Sequence, residues 1–118
     1  MTGAGQWEHA VQSYLASVTF ADHCLGLVLD ALEKSEHSDN PIIALFSDHG
    51  FHLGEKERWA KCSLREDGTR VPVIVSAPSF KPEQKSDRPA KLLDLFPTLL
   101  ELLDCLRNPV RKGKAWFP

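Results

Sequence analysis

Asp48 and His49 stand side by side in Ser47-Asp48-His49-Gly50, directly after the apolar run Ile42–Phe46. A carboxylate and an imidazole so placed can ligate one metal ion. They can also do plainer work, Asp48 capping a turn and His49 bonding to backbone. In open α/β sheets ligands gather at the carboxyl ends of strands, which is where this pair falls, and Gly50 lets the chain turn behind it. His49 and His52 form an H-x-x-H pair, a spacing that suits a transition metal only when other ligands join it. Lys61 follows Trp59-Ala60. An ammonium held against an aromatic can face an anion as a point charge, or be one more solvated lysine. Glu55, Lys56, Glu57 and Arg58 read as a wet surface, and Arg70 as a partner for Glu66 or Asp67. No nucleophile accompanies these groups: there is no G-x-S-x-G, no glycine-rich phosphate loop, and Ser47 alone does not make a triad.

These residues must be positioned by the elements around them. The segment from Ser47 to Arg70 has no helical or strand period, and so long an irregular stretch in a compact domain is usually functional or disordered. On its N-terminal side, Ile42–Phe46 reads as a short, fully covered strand. Earlier still, Trp7, Val11, Tyr14, Val18, Ala21, Leu25, Val28 and Leu32 recur at spacings of four and three, which predicts a helix over 7–34. Asp22 falls on that stripe, where a carboxylate needs a partner such as a neighbouring loop, and Gly26 suggests close approach by another element. After the excursion, Val71–Pro78 reads as a second strand, with Pro72 tolerable near its start. Residues 92–106 read as a second helix, with Asp94 as N-cap and Pro97 in the first turn, where amides lack intrahelical partners. Two strands with two strongly apolar helices imply an α/β layer architecture. Two strands cannot cover both helices, since sheets average five or six, so the sequence reads as part of a larger fold.

The 118 residues allow one domain, with 42% hydrophobic and 25% charged residues, ordinary values for a globular chain. A net charge of −2 gives no footprint for nucleic acid or for an anionic membrane. No apolar run is expected to span a bilayer, and the first ten residues show no secretory signal. Cys24, Cys62 and Cys105 lack C-x-x-C spacing; Cys24 and Cys105 read as small buried hydrophobes.

The stretch "SDHGFHLGEKERWAK" followed by "TRVPVIVSAP" resembles the carboxyl-terminal part of the catalytic domain of type I sulfatases, the iduronate and choline sulfatase-like branch in particular. "YLASVTFADHCLGLVLDALEKS" and "LLDLFPTLLELLDCL" resemble that family's flanking segments in the same order, so the likeness runs from about Tyr14 to Leu106 and leaves 107–118 as an irregular tail. The resemblance implies hydrolysis of sulfate esters on a partial alkaline-phosphatase-like α/β sandwich that lacks its N-terminal strands. It implies a bound calcium held partly by Asp48 and His49, and a sulfate contact from Lys61; His52 matches a frequent position that could also face substrate. Asp22 matches an aspartate taken as structural. The family's nucleophile is a formylglycine made within C-x-P-S-R, and no such motif occurs in this sequence. The chain is therefore expected to be inactive alone. The W-x-K pattern leans against a phosphoesterase of the same superfamily; a small non-enzymatic metal-binding or interaction protein using Asp48, His49 and His52 is the alternative from another class. The implied substrate is a sulfate ester, such as a sulfated sugar or choline sulfate. Family members are mostly exported or lysosomal, which leaves the location of this chain open.

Overall fold

The computed structural model describes residues 4–104. Helix α1 runs from Ala4 to Glu33, close to the stretch predicted from its spacing. It contains no proline, and the hydroxyls of Ser13, Ser17 and Thr19 donate back to the carbonyls of His9, Ser13 and Leu15, which keeps these polar groups compatible with a helix interior. It ends in a turn where the Ser35 amide and hydroxyl both donate to the Leu32 carbonyl. Much of its apolar stripe meets solvent: Leu15, Val18, Phe20 and Val28 are all exposed. Two expectations fail here for the same reason. Asp22 lies exposed instead of bonded under a loop, and nothing lies within 4 Å of the Cβ position at Gly26. Cys24 is half-buried rather than buried, while Cys105 falls outside the described residues.

By length and composition α1 is also the one described helix that could cross a membrane, which corrects the expectation that no segment reaches that length. Core helices of soluble proteins share those properties, and this one is tied to the polar excursion through Trp7 and Tyr14.

Strand β1 (Ile43–Phe46) leads into the excursion, which holds β2 (His52–Leu53), a 3-10 turn at Glu55–Glu57, β3 (Trp59–Ala60) and the single-turn helix α2 (Glu66–Thr69). Strand β4 (Val73–Ser76) then returns antiparallel to β1, pairing Ile43 with Ser76 and Phe46 with Val73. The excursion is thus the long connection of an antiparallel pair, with its own two-residue ladder of His52 with Ala60 and Leu53 with Trp59. Strand β1 is not fully covered as expected. Leu45 and Phe46 on β1, and Val73 and Ile74 on β4, are exposed, because a two-stranded sheet offers no neighbours for its faces.

A 3-10 turn at Leu92–Asp94 precedes α3 (Leu95–Leu102). Pro97 sits in the first turn of α3 and is buried, as its position allows. Asp94 occupies the cap position, but its side chain makes no capping hydrogen bond; its carbonyl accepts from the Thr98 hydroxyl at 2.7 Å. The helix expected to reach residue 106 stops at Leu102: residues 103–104 form a turn, and 105–106 lie outside the described stretch.

Packing is thin for the mass. Ala77 and Leu95 are the buried hydrophobic side chains among the described residues, with Thr98 and Pro97 beside them in burial. The radius of gyration is 18.0 Å, against about 13 Å for a compact domain of this length. The accessible surface is 10095 Å², where a folded monomer of this mass exposes about 6,400 Å². The observed architecture is α/β, with helices and two small antiparallel sheets.

Candidate functional site

The excursion is anchored before it is shaped. The Trp7 indole N–H donates to the Leu53 carbonyl at 2.7 Å, fastening the excursion to the start of α1. Phe51 stacks obliquely on Tyr14 at 5.2 Å and meets the edge of Trp59 at 6.1 Å, so one aromatic row joins the helix, the residue before β2, and β3. Gly54 has φ 115 and lies so close to the Trp7 indole that a side chain there would collide with it. Farther along, Lys56, Glu57 and Ala60 adopt left-handed backbone at φ 53, 59 and 75. Each such residue costs about 1–2 kcal/mol, so the surrounding contacts must hold these turns in place.

On this frame three of the predicted residues converge. The Lys61 ammonium donates to His49 Nε2 at 2.8 Å, and Asp48 Oδ2 lies 3.5 Å from the same nitrogen. His49 Nδ1 is 2.8 Å from the Gly50 carbonyl, which can only accept. Nδ1 therefore carries the proton, and Nε2 presents its lone pair to the ammonium. The Ser47 hydroxyl donates to the His49 carbonyl at 2.8 Å and steadies the backbone of the pair. Asp48 is 81% exposed and His49 is 32% exposed, so the carboxylate opens on solvent while the imidazole lone pair is taken up by the Lys61 ammonium. A carboxylate oxygen and a ring nitrogen 3.5 Å apart can both serve a divalent cation once the Lys61 ammonium leaves Nε2. A lysine within reach of that pair suits an anion bound beside the cation.

His52 lies elsewhere. Its side chain is 2% exposed, beneath α2, with Nδ1 at 3.8 Å from Asp67 Oδ2 and neither ring nitrogen hydrogen-bonded. It makes no hydrogen bond or ion pair with the Asp48–His49–Lys61 group. Among the described residues no group of three His, Cys, Asp or Glu side chains could hold a metal. Arg70 pairs with Glu66 at 3.9 Å, one of its two expected partners, with both side chains exposed. Cys62 is exposed.

Sequence reasoning missed the glycines that bring the two arms of the group together. Gly50 was expected to permit a sharp turn, but its role is close approach. A Cβ there would run into the Asp67 carbonyl, and its amide donates to the Gly68 carbonyl at 3.0 Å. Gly68 is buried, and a Cβ there would lie 3.1 Å from the Ser63 carbonyl and 3.3 Å from both His52 Nε2 and the Lys61 carbonyl. The only sequence signal was a glycine inside an otherwise charged "REDGTR".

Against known proteins, the Sulfatase family model matches residues 2–105. The chain is 46% identical over 99 residues to a sulfatase of Formosa agariphila, covering 84% of this chain and 20% of that protein. It is 43% identical over 106 residues to iduronate 2-sulfatase of Mus musculus, covering 90% and 17%. With choline-sulfatase of Rhizobium meliloti it shares 32% over 100 residues, covering 85% and 19%. The chain thus spans about a fifth of the length of these relatives. No solved structure matches it.

Proposed function

This chain belongs to the sulfatase family, and from that premise we propose that it forms part of a sulfate-ester hydrolase, with Asp48 and His49 as cation ligands and Lys61 facing the sulfate. The observation that carries this reading is the meeting of Lys61 with His49 across twelve residues, at 2.8 Å, beside the Asp48 carboxylate. Sulfate-ester cleavage leaves negative charge on the sulfuryl oxygens and develops it on the departing ester oxygen. A fixed ammonium beside those oxygens lowers the energy of that charge.

The cation is calcium by family resemblance. Calcium takes six to eight ligands, mainly oxygen, and Asp48 and His49 fit as two of that set and no more. When bound, the ion supplies positive charge against sulfuryl and ester oxygens. The other ligands and the formylglycine belong to a segment carrying C-x-P-S-R, a motif these 118 residues do not contain. The 118-residue chain is accordingly inactive alone. Joined to such a segment, its β1–β4 pair and helices become part of an alkaline-phosphatase-like sandwich. The substrate is a sulfate ester, of a sugar or of choline if it follows the relatives' names.

The test is a chimera in which residues 2–105 replace the matching stretch of the mouse iduronate 2-sulfatase. The isolated chain should release no sulfate from an ester, and the chimera should. Lys61→Ala should lower the chimera's kcat by about 100-fold to 1,000-fold, the loss expected when one stabiliser of developing charge is removed. Turnover by the isolated chain, a folded but inactive chimera, or a Lys61→Ala chimera at full rate would each overturn the proposal.

A further inference from the structure

The cluster of Asp48, His49 and Lys61 is assembled from two arms, and both are gripped by the same turn of helix. The first arm is Asp48–Gly50. Its Gly50 amide donates to the Gly68 carbonyl at 3.0 Å, and its Cα packs against the Asp67 and Arg70 carbonyls so tightly that a methyl group would not fit. The second arm is Ala60–Ser63. Its Lys61 and Ser63 carbonyls crowd the Cβ position of Gly68 at 3.3 and 3.1 Å. Helix α2 is therefore a clasp between the arm that carries His49 and the arm that carries Lys61. A helix of four residues does not hold itself in place, since one turn fixes several dihedrals for one or two hydrogen bonds.

What lies under the clasp is His52. Its relative exposure is 1%, among the lowest of the described side chains. It pairs in register with Ala60, the residue just before Lys61, and Ala60 is the left-handed residue that redirects the chain there. Its Nε2 and the Lys61 carbonyl each lie 3.3 Å from where a Cβ on Gly68 would stand, and its Nδ1 faces the Asp67 carboxylate at 3.8 Å. The imidazole is buried with neither ring nitrogen hydrogen-bonded to another protein atom, and the Asp67 carboxylate is the charged group that faces it. The position makes sense if the ring is needed as a spacer of fixed size, oriented by Asp67.

We propose that His52 is a positioning residue for Lys61: it supports α2 from below and so sets the separation of the lysine from the Asp48–His49 pair. It touches no substrate. The inference rests on the sulfate-facing role assigned to Lys61 above.

The chimera with the mouse enzyme tests it, read by sulfate-ester turnover, by calorimetric titration with inorganic sulfate and by thermal unfolding. His52→Ala should lower kcat/KM and sulfate affinity by about 10-fold to 100-fold, the range expected when a charge is displaced by up to an ångström. His52→Gln, which keeps the length and a polar end toward Asp67, should recover most of that loss. In a Lys61→Ala background His52→Ala should cost nothing further in turnover or sulfate binding, although it lowers the unfolding temperature equally in both backgrounds. Asp67→Ala, on the half-exposed partner, should act in the same direction as His52→Ala and serves if His52→Ala does not fold. Equal losses with and without Lys61, or no loss while Lys61→Ala is impaired, would overturn the positioning role alone. A fully active, sulfate-binding Lys61→Ala chimera would overturn the role of Lys61 and this inference together.

Discussion

Residues 47–70 and the regular elements on either side of them are stabilised in opposite ways. The excursion has two strands of two residues and a helix of four, yet it buries His52 and Gly68 and closes on itself through glycine contacts, an aromatic row and backbone hydrogen bonds. Helix α1 and the β1–β4 pair have well-formed backbone ladders, yet Phe20 is 69% exposed, Val28 65% and Ile74 58%. A helix satisfies its own amides whatever surrounds it; its apolar stripe is satisfied only by a partner. A polar loop has no ladder to rely on, so its groups must find specific partners nearby, and here they have. The excursion is locally assembled, while the apolar faces of its scaffold are open to solvent.

The first way to break that contrast is to ask whether the scaffold stands alone. The 118-residue chain should show helical far-ultraviolet dichroism, bind a hydrophobic dye and melt without a cooperative transition, the behaviour of a state with secondary structure and incomplete packing. A sharp transition in a monomer would show that the exposed stripes need no partner. The same segment inside the chimera should melt cooperatively with the rest of the enzyme.

Next in size is the glycine at the junction of the two arms. Gly50→Ala in the chimera should destabilise by about 1–3 kcal/mol, the usual cost of forcing a methyl group into a packed site, because the obstruction is backbone carbonyl rather than a side chain that can move aside. Gly26→Ala, where nothing lies within 4 Å, should instead stabilise α1 by up to about 1 kcal/mol. Chemical denaturation of the two variants checks the pair. Equal effects would mean that the close approach at Gly50 is unimportant.

These two glycines also show how much the sequence disclosed. Periodicity placed α1 within a few residues, because a long amphipathic repeat is a local property. Asp48, His49 and Lys61 could be singled out by type and by position after an apolar strand. Their meeting depends on a clasp whose signal is one glycine among charges, which no period reveals. Asp22 and Gly26 were read as points of contact and are exposed, since a stripe in a sequence says which face is to be covered and not whether the covering element is present. His52 was read as a partner of His49 from three-residue spacing. His49 lies in irregular backbone before β2, and His52, paired with Ala60 in β2, is buried.

A smaller effect tests the anchor of the excursion. Trp7→Phe keeps the aromatic bulk but removes the indole donor to Leu53, which should cost about 1 kcal/mol, the net worth of a typical hydrogen bond. Hydrogen exchange should then quicken in residues 51–60 of the chimera and leave β1 and β4 unchanged. Faster exchange throughout would mean that excursion and scaffold are not separable in the way their packing suggests.

The smallest effect is a proton on Glu55. Its carboxylate accepts from the Leu53 amide at 2.7 Å, and hydrogen bonds from its own backbone amide and from that of Leu53 hold its pKa below the ordinary value. A carboxyl whose folded pKa is depressed contributes stability that is complete above the ordinary glutamate range, about pH 4.3, and is lost as the pH falls through the lower folded value. Glu55→Gln should therefore speed exchange of the Leu53 amide at pH 6.5 in the chimera. The ratio of variant to parent rates should fall towards one as the pH drops below that range, where the parent's carboxylate takes up its proton. Comparing the two at each pH cancels the intrinsic pH dependence of exchange. Because Glu55 is exposed and the bond is local, protection elsewhere in the excursion should not change. A ratio that stays constant with pH would show that the amide is held by the geometry of the turn and not by the charge beside it.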